Sequence, residues 1–432
     1  MTPRIVVVGG GAGGLELVTQ LGDTLGRRGR AHVTLVDRSR THLWKPLLHE
    51  VAAGSMSIHA HQLDYLAQAR WHDFTFTLGA LAGLDRKAHE IAVAAVVDDE
   101  GEEILPARRV PYDALVIAIG SESNDFGTPG VREHAFTLDN PWQAHLFHRR
   151  LVNTCFRANF AADGRTLHIA IVGAGATGVE LAAELHNTIR VLAAYGLENF
   201  HPEGQIRISI VEAGPRILPG LPEYIAEETL KTLEALGVQV LVNERVVKVT
   251  ADKVCTANGR EVPADFTVWA AGIRCPEVLR DLDGLESNRL NQLVVLPTLA
   301  TTRDSDVYAL GDCAACPWLA GKMVPPRAQA AHQQASFLVK TMAHRLEGRH
   351  DTRVFRYRDF GSLVSLGNYQ SVGTLMGFVT GGTLRLEGLL AKLFYMSLYR
   401  LHIWALHGFW RMALDTLARM IRSQTEPKVK LH

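Results

Sequence analysis

Two glycine-rich loops hold the residues of this 432-residue sequence best suited to chemistry. They are Gly9-Gly10-Gly11-Ala12-Gly13-Gly14 and Gly173-Ala174-Gly175-Ala176-Thr177-Gly178. In each, the first glycine (Gly9, Gly173) permits a tight turn out of a strand. The second (Gly11, Gly175) lets the backbone approach a pyrophosphate, and the third (Gly14, Gly178) admits close packing of helix on strand. Free N–H groups at the start of the following helix then face the anion. A lone loop of this kind is weak evidence, because glycine-rich turns also arise for structural reasons. Here each follows an apolar, β-branched run and opens a helix-like stretch. Each is also answered downstream by a strand ending in an acid: Val33-Thr34-Leu35-Val36-Asp37 and Ile208-Ser209-Ile210-Val211-Glu212. Such a carboxylate accepts a hydrogen bond from a ribose 2′-hydroxyl and repels a 2′-phosphate, favouring an unphosphorylated dinucleotide. Two loops imply two dinucleotides held together, and a hydride passed between them.

The elements needed to position these loops are visible in the pattern of apolar residues. Ile5–Val8 and Ile169–Val172 read as the strands entering the loops. Ala114–Gly120 reads as a buried strand of the first unit, ending at Gly120. The second unit starts near His168, runs through Val240, and is closed by Asp265–Gly272, whose Ala271-Gly272 end resembles that of Ala114–Gly120. Phe74–Val97 suggests a small β region. The segment Asp306-Val307-Tyr308-Ala309-Leu310-Gly311-Asp312 predicts a strand that returns to the first unit, leaving Asp312 able to bind a sugar-alcohol chain. The expected fold class is α/β, with two Rossmann-like dinucleotide-binding domains, the second inserted in the first. The expected boundaries are 1–140 with 290–350, then 141–289. A C-terminal region, 351–432, carries amphipathic helices.

Composition narrows the class. Hydrophobic residues make up 47% and charged residues 21%, as in ordinary globular chains, and the formal net charge of zero implies no nucleic-acid partner. Five cysteines and no secretory or transit segment point to a reducing compartment. No stretch is long and apolar enough to span a bilayer as a simple helix, so no membrane-spanning proton path is expected. Cys313-x-x-Cys316 follows Asp312 directly; it could be redox-active, half of a zinc site, or a pair of inert thiols. No second such motif accompanies it, and no metal site is expected.

The overall pattern resembles the two-dinucleotide-binding-domain flavoproteins. It is most similar to the bacterial type II NADH dehydrogenases, the single-subunit NADH:quinone oxidoreductases. The resemblance spans essentially the whole chain. It is carried by Gly9–Gly14, Trp44–Glu50, Gly173–Glu180, Trp269–Gly272, Tyr308–Asp312, Pro325–Gln334 and the terminal Pro427–His432. It implies non-covalent FAD at the first loop (Gly9, Gly11, Ala12, Gly13, Gly14, Asp37, Gly120), with Asp312 on its ribitol. It implies NADH at the second (Gly173, Gly175, Gly178, Glu212, Ala271, Gly272), and a membrane quinone as electron acceptor without proton pumping. Disulfide reductases of this plan need a cysteine pair early in the chain, and Trp44–Gly54 contains none.

Hydride transfer between dinucleotides needs alignment rather than a protein acid or base. Relatives place a glutamate equivalent to Glu180 near the nicotinamide and flavin rings; the alternative is a favourable charge at a helix N-terminus. Gln329 and Gln333, spaced i, i+4, share one helix face, with His332 nearby. The resemblance assigns this helix to the quinone side, where neutral amides could hold a carbonyl and His332 relay a proton; otherwise the pair is a solvated face. Lys45 and His49 are candidates for contacts near the flavin.

The C-terminal region is basic, with Arg385, Lys392, Arg400, Arg411, Arg419, Arg422, Lys428 and Lys430 against Glu387, Asp415 and Glu426. Leu386, Leu389, Leu390, Leu393, Phe394, Leu401, Trp404 and Ala405 recur at helical spacing. After Gly408, Phe409, Ala413, Leu417, Met420 and Ile421 lie along one side. A basic amphipathic helix suits a membrane surface; the alternative is packing on the body or on a second copy in a homodimer. The expected location is peripheral, on the cytoplasmic face of the bacterial inner membrane. A sulfide:quinone-type reductase and a non-catalytic dinucleotide sensor are the rival readings.

Overall fold

A computed structural model describes residues 2–161, 165–196, 201–349, 353–366, 371–376, 383–425, 427 and 429–430. The chain opens with β1 (Arg4–Val8), whose buried Ile5-Val6-Val7-Val8 run into the first glycine loop and α1 (Ala12–Leu21). β2 (His32–Asp37), α2 (Leu48–Ala53), α3 (Tyr65–Trp71), β3 (Thr75–Leu78) and β4 (Ala114–Ile117) follow. Leu81–Asp85, Glu90–Val93 and Arg108–Pro111 form a separate antiparallel sheet. The β region expected over Phe74–Val97 is therefore divided: Thr75–Leu78 pairs parallel with β2 instead. Its position at the end of a helix–strand unit makes it the sheet's outer strand.

The second unit comprises β5 (Ala135–Thr137), α4 (Pro141–Ala161), β6 (Leu167–Val172), α5 (Ala176–Ala194), β7 (Ile206–Val211), β8 (Gln239–Leu241) and β9 (Phe266–Trp269). Its sheet is wholly parallel, in the order β5-β9-β6-β7-β8. The chain then returns through β10 (Ala300–Thr301) and β11 (Asp304–Ala309) to α6 (Ala328–Leu346). β11 pairs parallel with β4, giving a first sheet in the order β10-β11-β4-β1-β2-β3. One domain is thus threaded through the other. The crossings lie slightly off the expected 140/141 and 289/290 boundaries. Ala135–Thr137 already belongs to the second sheet, and Cys275, Leu279, Leu282 and Leu285 are buried in the first core.

Both sheets are buried β-branched runs covered by helices on their faces, as parallel sheets require. The same backbone devices recur in each. Gly9 and Gly173 adopt φ of +103° and +104°, accessible to glycine at little cost, and a Cβ on either would strike the backbone of Ala118 or Ala270–Ala271. A Cβ on Gly14 would collide with the Gly9 carbonyl, and one on Gly178 with that of Gly173.

The C-terminal region begins with β12 (Gly361–Ser365), β13 (Ser371–Met376) and β14 (Thr383–Glu387), an antiparallel meander. Leu386, expected on a helix, lies in β14, and the helix starts two residues later. That element, α7 (Gly388–Thr425), is two arms broken at Gly408, whose φ of +77° no helix tolerates. The side chains of Leu389, Leu390, Leu393 and Phe394, and residues Lys428 and His432, lie outside the described residues. The arms fold against each other: the Arg419 guanidinium donates to the Tyr399 hydroxyl at 3.1 Å and sits over its ring. No helix among the described residues is long and apolar enough to cross a membrane.

Candidate functional site

At the end of β2, Asp37 accepts from the Gly10 amide at 2.5 Å and from the Ser39 amide at 2.7 Å. Burial pushes its pKa up, and those amides only partly oppose the shift. A desolvated carboxylate beside a glycine loop is suited to further donors such as ribose hydroxyls. The loop itself is open where an anion would lie, since a Cβ on Gly11 would meet only the Ala118 carbonyl, at 4.0 Å. Ala12, Gly13 and Gly14 form the first turn of α1, and its early N–H groups have no intrahelical partner.

The second loop repeats this geometry. Glu212, just past the end of β7, accepts from the Ala174 amide and the Gly214 amide, each at 2.7 Å. A Cβ on Gly175 would meet nothing within 4 Å. Gly178 lies in the first turn of α5, and Ala271-Gly272 follow β9 directly over Gly173. The nearby Arg216 spends its guanidinium on the Leu218, Pro219 and Leu221 carbonyls, so it is not available to a 2′-phosphate. Both cradles fit a dinucleotide in backbone shape and in the acid that ends the second strand.

Asp312 sits in a turn just beyond β11, at the edge of the first sheet. Its carboxylate accepts from the Ser121 hydroxyl at 2.7 Å, and its carbonyl from the Gln292 amide at 2.8 Å. The preceding Gly311 amide donates to the buried Gln334 side chain at 2.7 Å. Lys45 donates from Nζ to the Ser121 carbonyl at 2.7 Å, and its Nζ lies 3.5 Å from Asp139. Gly120, Ser121, Lys45 and Asp312 therefore converge beside the first loop. Ser121 and Gln334 are further residues of this site, each adjacent to one that the sequence singles out, Gly120 and Gln333.

Glu180, in the first turns of α5, is buried and accepts from the Ser365 amide of β12 at 3.1 Å. Its other carboxylate oxygen lies 3.7 Å from His49 Nδ1, too long for a hydrogen bond. Burial pushes the His49 pKa down to about 4, so this pair is a neutral imidazole facing a carboxyl group rather than an ion pair at neutral pH. His49 Nε2 is buried with no hydrogen-bond partner among the described residues. An orphaned buried nitrogen is costly unless a ligand or water completes it. Glu184, one turn further along α5, is also buried.

The i, i+4 pair on α6 engages the chain that enters β12. Gln329 donates to the Gly361 carbonyl at 3.0 Å and to Asp359 at 3.3 Å, and accepts from the Phe360 amide at 3.1 Å. Gln333 donates to the Arg358 carbonyl at 2.8 Å and accepts from the Arg358 amide at 3.0 Å. Both amides are bonded to the segment entering β12. That segment runs alongside α6, which puts its polar groups within reach of both amides. His332, beside them on α6, lies 2.5 Å from Glu16 of α1. Gln329 and Gln333 thus brace the strand whose far end reaches Glu180.

Four of the five thiols are buried. Cys313 and Cys316 are fully buried, and burial pushes each pKa up to about 11; Cys155 rises to about 12 and Cys275 further. Cys313 lies against the Leu310 and Ile117 carbonyls. Among the described residues no group of three or more His, Cys, Asp or Glu side chains could hold a metal.

Comparison with known proteins gives this geometry a context. Residues 3–335 match the family described as pyridine nucleotide-disulphide oxidoreductase. A type II NADH:quinone oxidoreductase of Haemophilus influenzae is 43% identical over 99% of this chain and 100% of its own length. One from Staphylococcus aureus (strain NCTC 8325 / PS 47) is 28% identical over 87% of this chain and 90% of its own. Among solved structures, NDH2 from Plasmodium falciparum in complex with NADH superposes with a TM-score of 0.82 at 19% identity, covering both chains fully. The sulfide:quinone oxidoreductase of Aquifex aeolicus superposes at 0.71 with 16% identity, covering 94% of this chain and 91% of its own. These last two likenesses establish the fold.

Proposed function

We infer, for a chain that belongs to the type II NADH:quinone oxidoreductases, that it oxidises NADH at FAD and delivers two electrons to a membrane quinone. The observation that carries this reading is the repeated cradle: two glycine loops, each with an amide bonded to an acid at the end of the next strand. When bound, FAD supplies the chemistry, accepting hydride and passing electrons on. The chain's part is to bind, align and exclude water. In this reading Gly9–Gly14, Asp37, Gly120, Lys45 and Asp312 hold FAD, while Gly173–Gly178, Glu212 and Ala271-Gly272 hold NADH. Glu180 and His49 stand where α5 meets α2, between the two cradles. Neutral His49 can accept a proton at Nε2, and Glu180 can orient the nicotinamide amide. Gln329 and Gln333 act through β12, fixing the wall beside which a quinone head would enter.

The decisive experiment is anaerobic: NADH should bleach the flavin, and a soluble quinone should restore its colour. Bound FAD that NADH does not reduce would favour a dinucleotide sensor. Gln329→Leu removes the bonds to Phe360 and Gly361, so it should slow quinone-driven reoxidation by about tenfold or more while leaving bleaching by NADH nearly unchanged. Equal slowing of both half-reactions would remove Gln329 from the quinone side. The sulfide:quinone reading needs reactive thiols beside the flavin, whereas Cys155, Cys275, Cys313 and Cys316 are buried and shifted towards the protonated form.

The same reading places α7 on a membrane. Its second arm exposes Phe409, Trp410, Leu414, Leu417, Met420 and Ile421, with Leu401 and Trp404 of the first arm alongside. Arg411 and Arg419 lie over the rings of Trp71 and Tyr399. Exposed aromatic and aliphatic side chains in one stripe suit the interface of a bilayer. The free thiols fit a reducing compartment, and hence its cytoplasmic face. Trp410→Asp combined with Leu417→Asp should cut sedimentation with lipid vesicles by at least about tenfold. If the face instead joins two copies of the chain, that variant would lose its dimer and keep its vesicle binding.

A further inference from the structure

Beneath the first glycine loop runs a buried chain of polar groups that the redox reading leaves unused. Glu16, on the inner face of α1, is 2% exposed, yet it meets two imidazoles. Its carboxylate oxygens lie 2.5 Å from His332 Nδ1 on α6 and 2.6 Å from His402 Nδ1 on the first arm of α7. His402 Nε2 lies 3.0 Å from His42 Nε2, and His42 Nδ1 lies 2.8 Å from the Gly10 carbonyl. The Tyr65 hydroxyl donates to that same carbonyl at 2.7 Å. Trp44 stacks on His402 with 11° between the ring planes.

Donor and acceptor counting fixes where the protons are. A carbonyl only accepts, so His42 carries its proton on Nδ1. Burial and the neighbouring His402 push the His42 pKa down to about 3, so it is neutral and its Nε2 is a lone pair. His402 Nε2 must then donate to it. Burial works against ionised Glu16, but the hydrogen bonds from His332 and His402 outweigh it and hold the Glu16 pKa below its usual value. His402 thus bridges the Glu16 carboxylate and the His42 ring.

The far end of this chain is the peptide between Gly10 and Gly11. No described peptide bond is cis, so the Gly10 carbonyl and the Gly11 N–H point in opposite directions. Two donors pulling the carbonyl towards His42 and Tyr65 turn the Gly11 N–H to the other side, the open face of the loop. We propose that Glu16 and His402 latch the first arm of α7 to the flavin domain and, through His42, hold the Gly10–Gly11 peptide in its anion-binding orientation. Docking of the C-terminal helix and retention of FAD are then a single coupled equilibrium. These are positioning residues; none touches the reacting atoms. The proposal rests on the first loop being the FAD site.

Coupling of this kind is reciprocal and commonly spans about 5- to 150-fold in affinity. His402→Ala and the near-isosteric Glu16→Gln should each weaken FAD retention by a factor in that range, read as flavin released on dilution. In the wild type, adding FAD should slow proteolytic cleavage within residues 388–425; in both variants that protection should disappear. His42→Asn separates the two ends, because the asparagine amide can still donate to the Gly10 carbonyl but cannot reach His402. It should keep FAD nearly as tightly as the wild type while losing FAD-dependent protection of the helix. If His402→Ala holds FAD as tightly as the wild type while its helix is freely cleaved, the latch is wrong. If His42→Asn retains FAD-dependent protection, the proposed path is wrong. A wild-type protein that binds no FAD would overturn the cofactor reading instead, a different outcome.

Discussion

Gly14→Val should yield a destabilised protein that purifies without flavin, whereas Gly11→Ala should fold normally and merely bind flavin less well. The difference lies in what each new side chain meets. A Cβ at Gly14 would run into the Gly9 carbonyl, a backbone atom at the end of the buried β1 that cannot step aside. Relief requires α1 to lift off the sheet, opening a core that includes Leu15, Leu17, Val18 and Leu21. Overpacking a core costs about 1–3 kcal/mol, and the upper end applies where the obstacle is backbone. At Gly11 the protein offers open space, so an added methyl burdens only a bound pyrophosphate. Thermal unfolding and the ratio of flavin to protein absorbance distinguish the two. A Gly14→Val protein with unchanged melting temperature and full flavin would contradict the close approach of α1 to β1.

Glu212 carries the second large expectation. In Glu212→Ala, NADH should lose a charge-assisted hydrogen bond from its ribose, a loss of about 1.5–3 kcal/mol, or roughly 10- to 100-fold in kcat/KM. NADPH should gain, because the carboxylate that repels its 2′-phosphate is gone. Glu212 also bonds the Ala174 and Gly214 amides, so alanine could disturb the loop itself. Glu212→Gln keeps an acceptor for Ala174 and discards the charge, and it should raise the NADPH-to-NADH ratio with less loss of NADH activity. An unchanged ratio in both variants would remove Glu212 from the ribose site. Arg216, tied to three carbonyls, offers no ready partner for the phosphate, so the swing should stop short of full reversal.

Together these expectations separate residues that build the cradles from residues that discriminate between ligands. The cradles were the most legible part of the sequence. Glycines at fixed spacing after an apolar run act within a few residues of themselves, and so do the strand-ending Asp37 and Glu212. Asp312 was legible for the same reason, standing at the end of a short apolar strand. Gln329, Gln333 and His332 were legible as a helix face but not as contacts. Which partner an amide takes depends on which segment lies beside it. Here that segment is Arg358–Gly361, which the spacing on α6 does not encode. The pairing of the meander that begins at Gly361 is set by its neighbouring strands.

Read from the sequence alone are the two glycine cradles, the acid after each second strand, the insertion of one domain in the other and a basic, apolar C-terminal region. Each of these is written in local spacing and periodicity, where a few adjacent residues suffice to specify the backbone. Tertiary structure alone decided that Gln329 and Gln333 brace β12, that Glu180 meets Ser365 and His49, and that Glu16 joins His332 to His402. A carboxylate among Leu15, Leu17 and Val18 and a histidine between Leu401 and Ile403 each look like misplaced polar residues when taken alone. Folding brings them to within a hydrogen bond, and burial makes that bond obligatory, since a buried charge without its partner would not be tolerated.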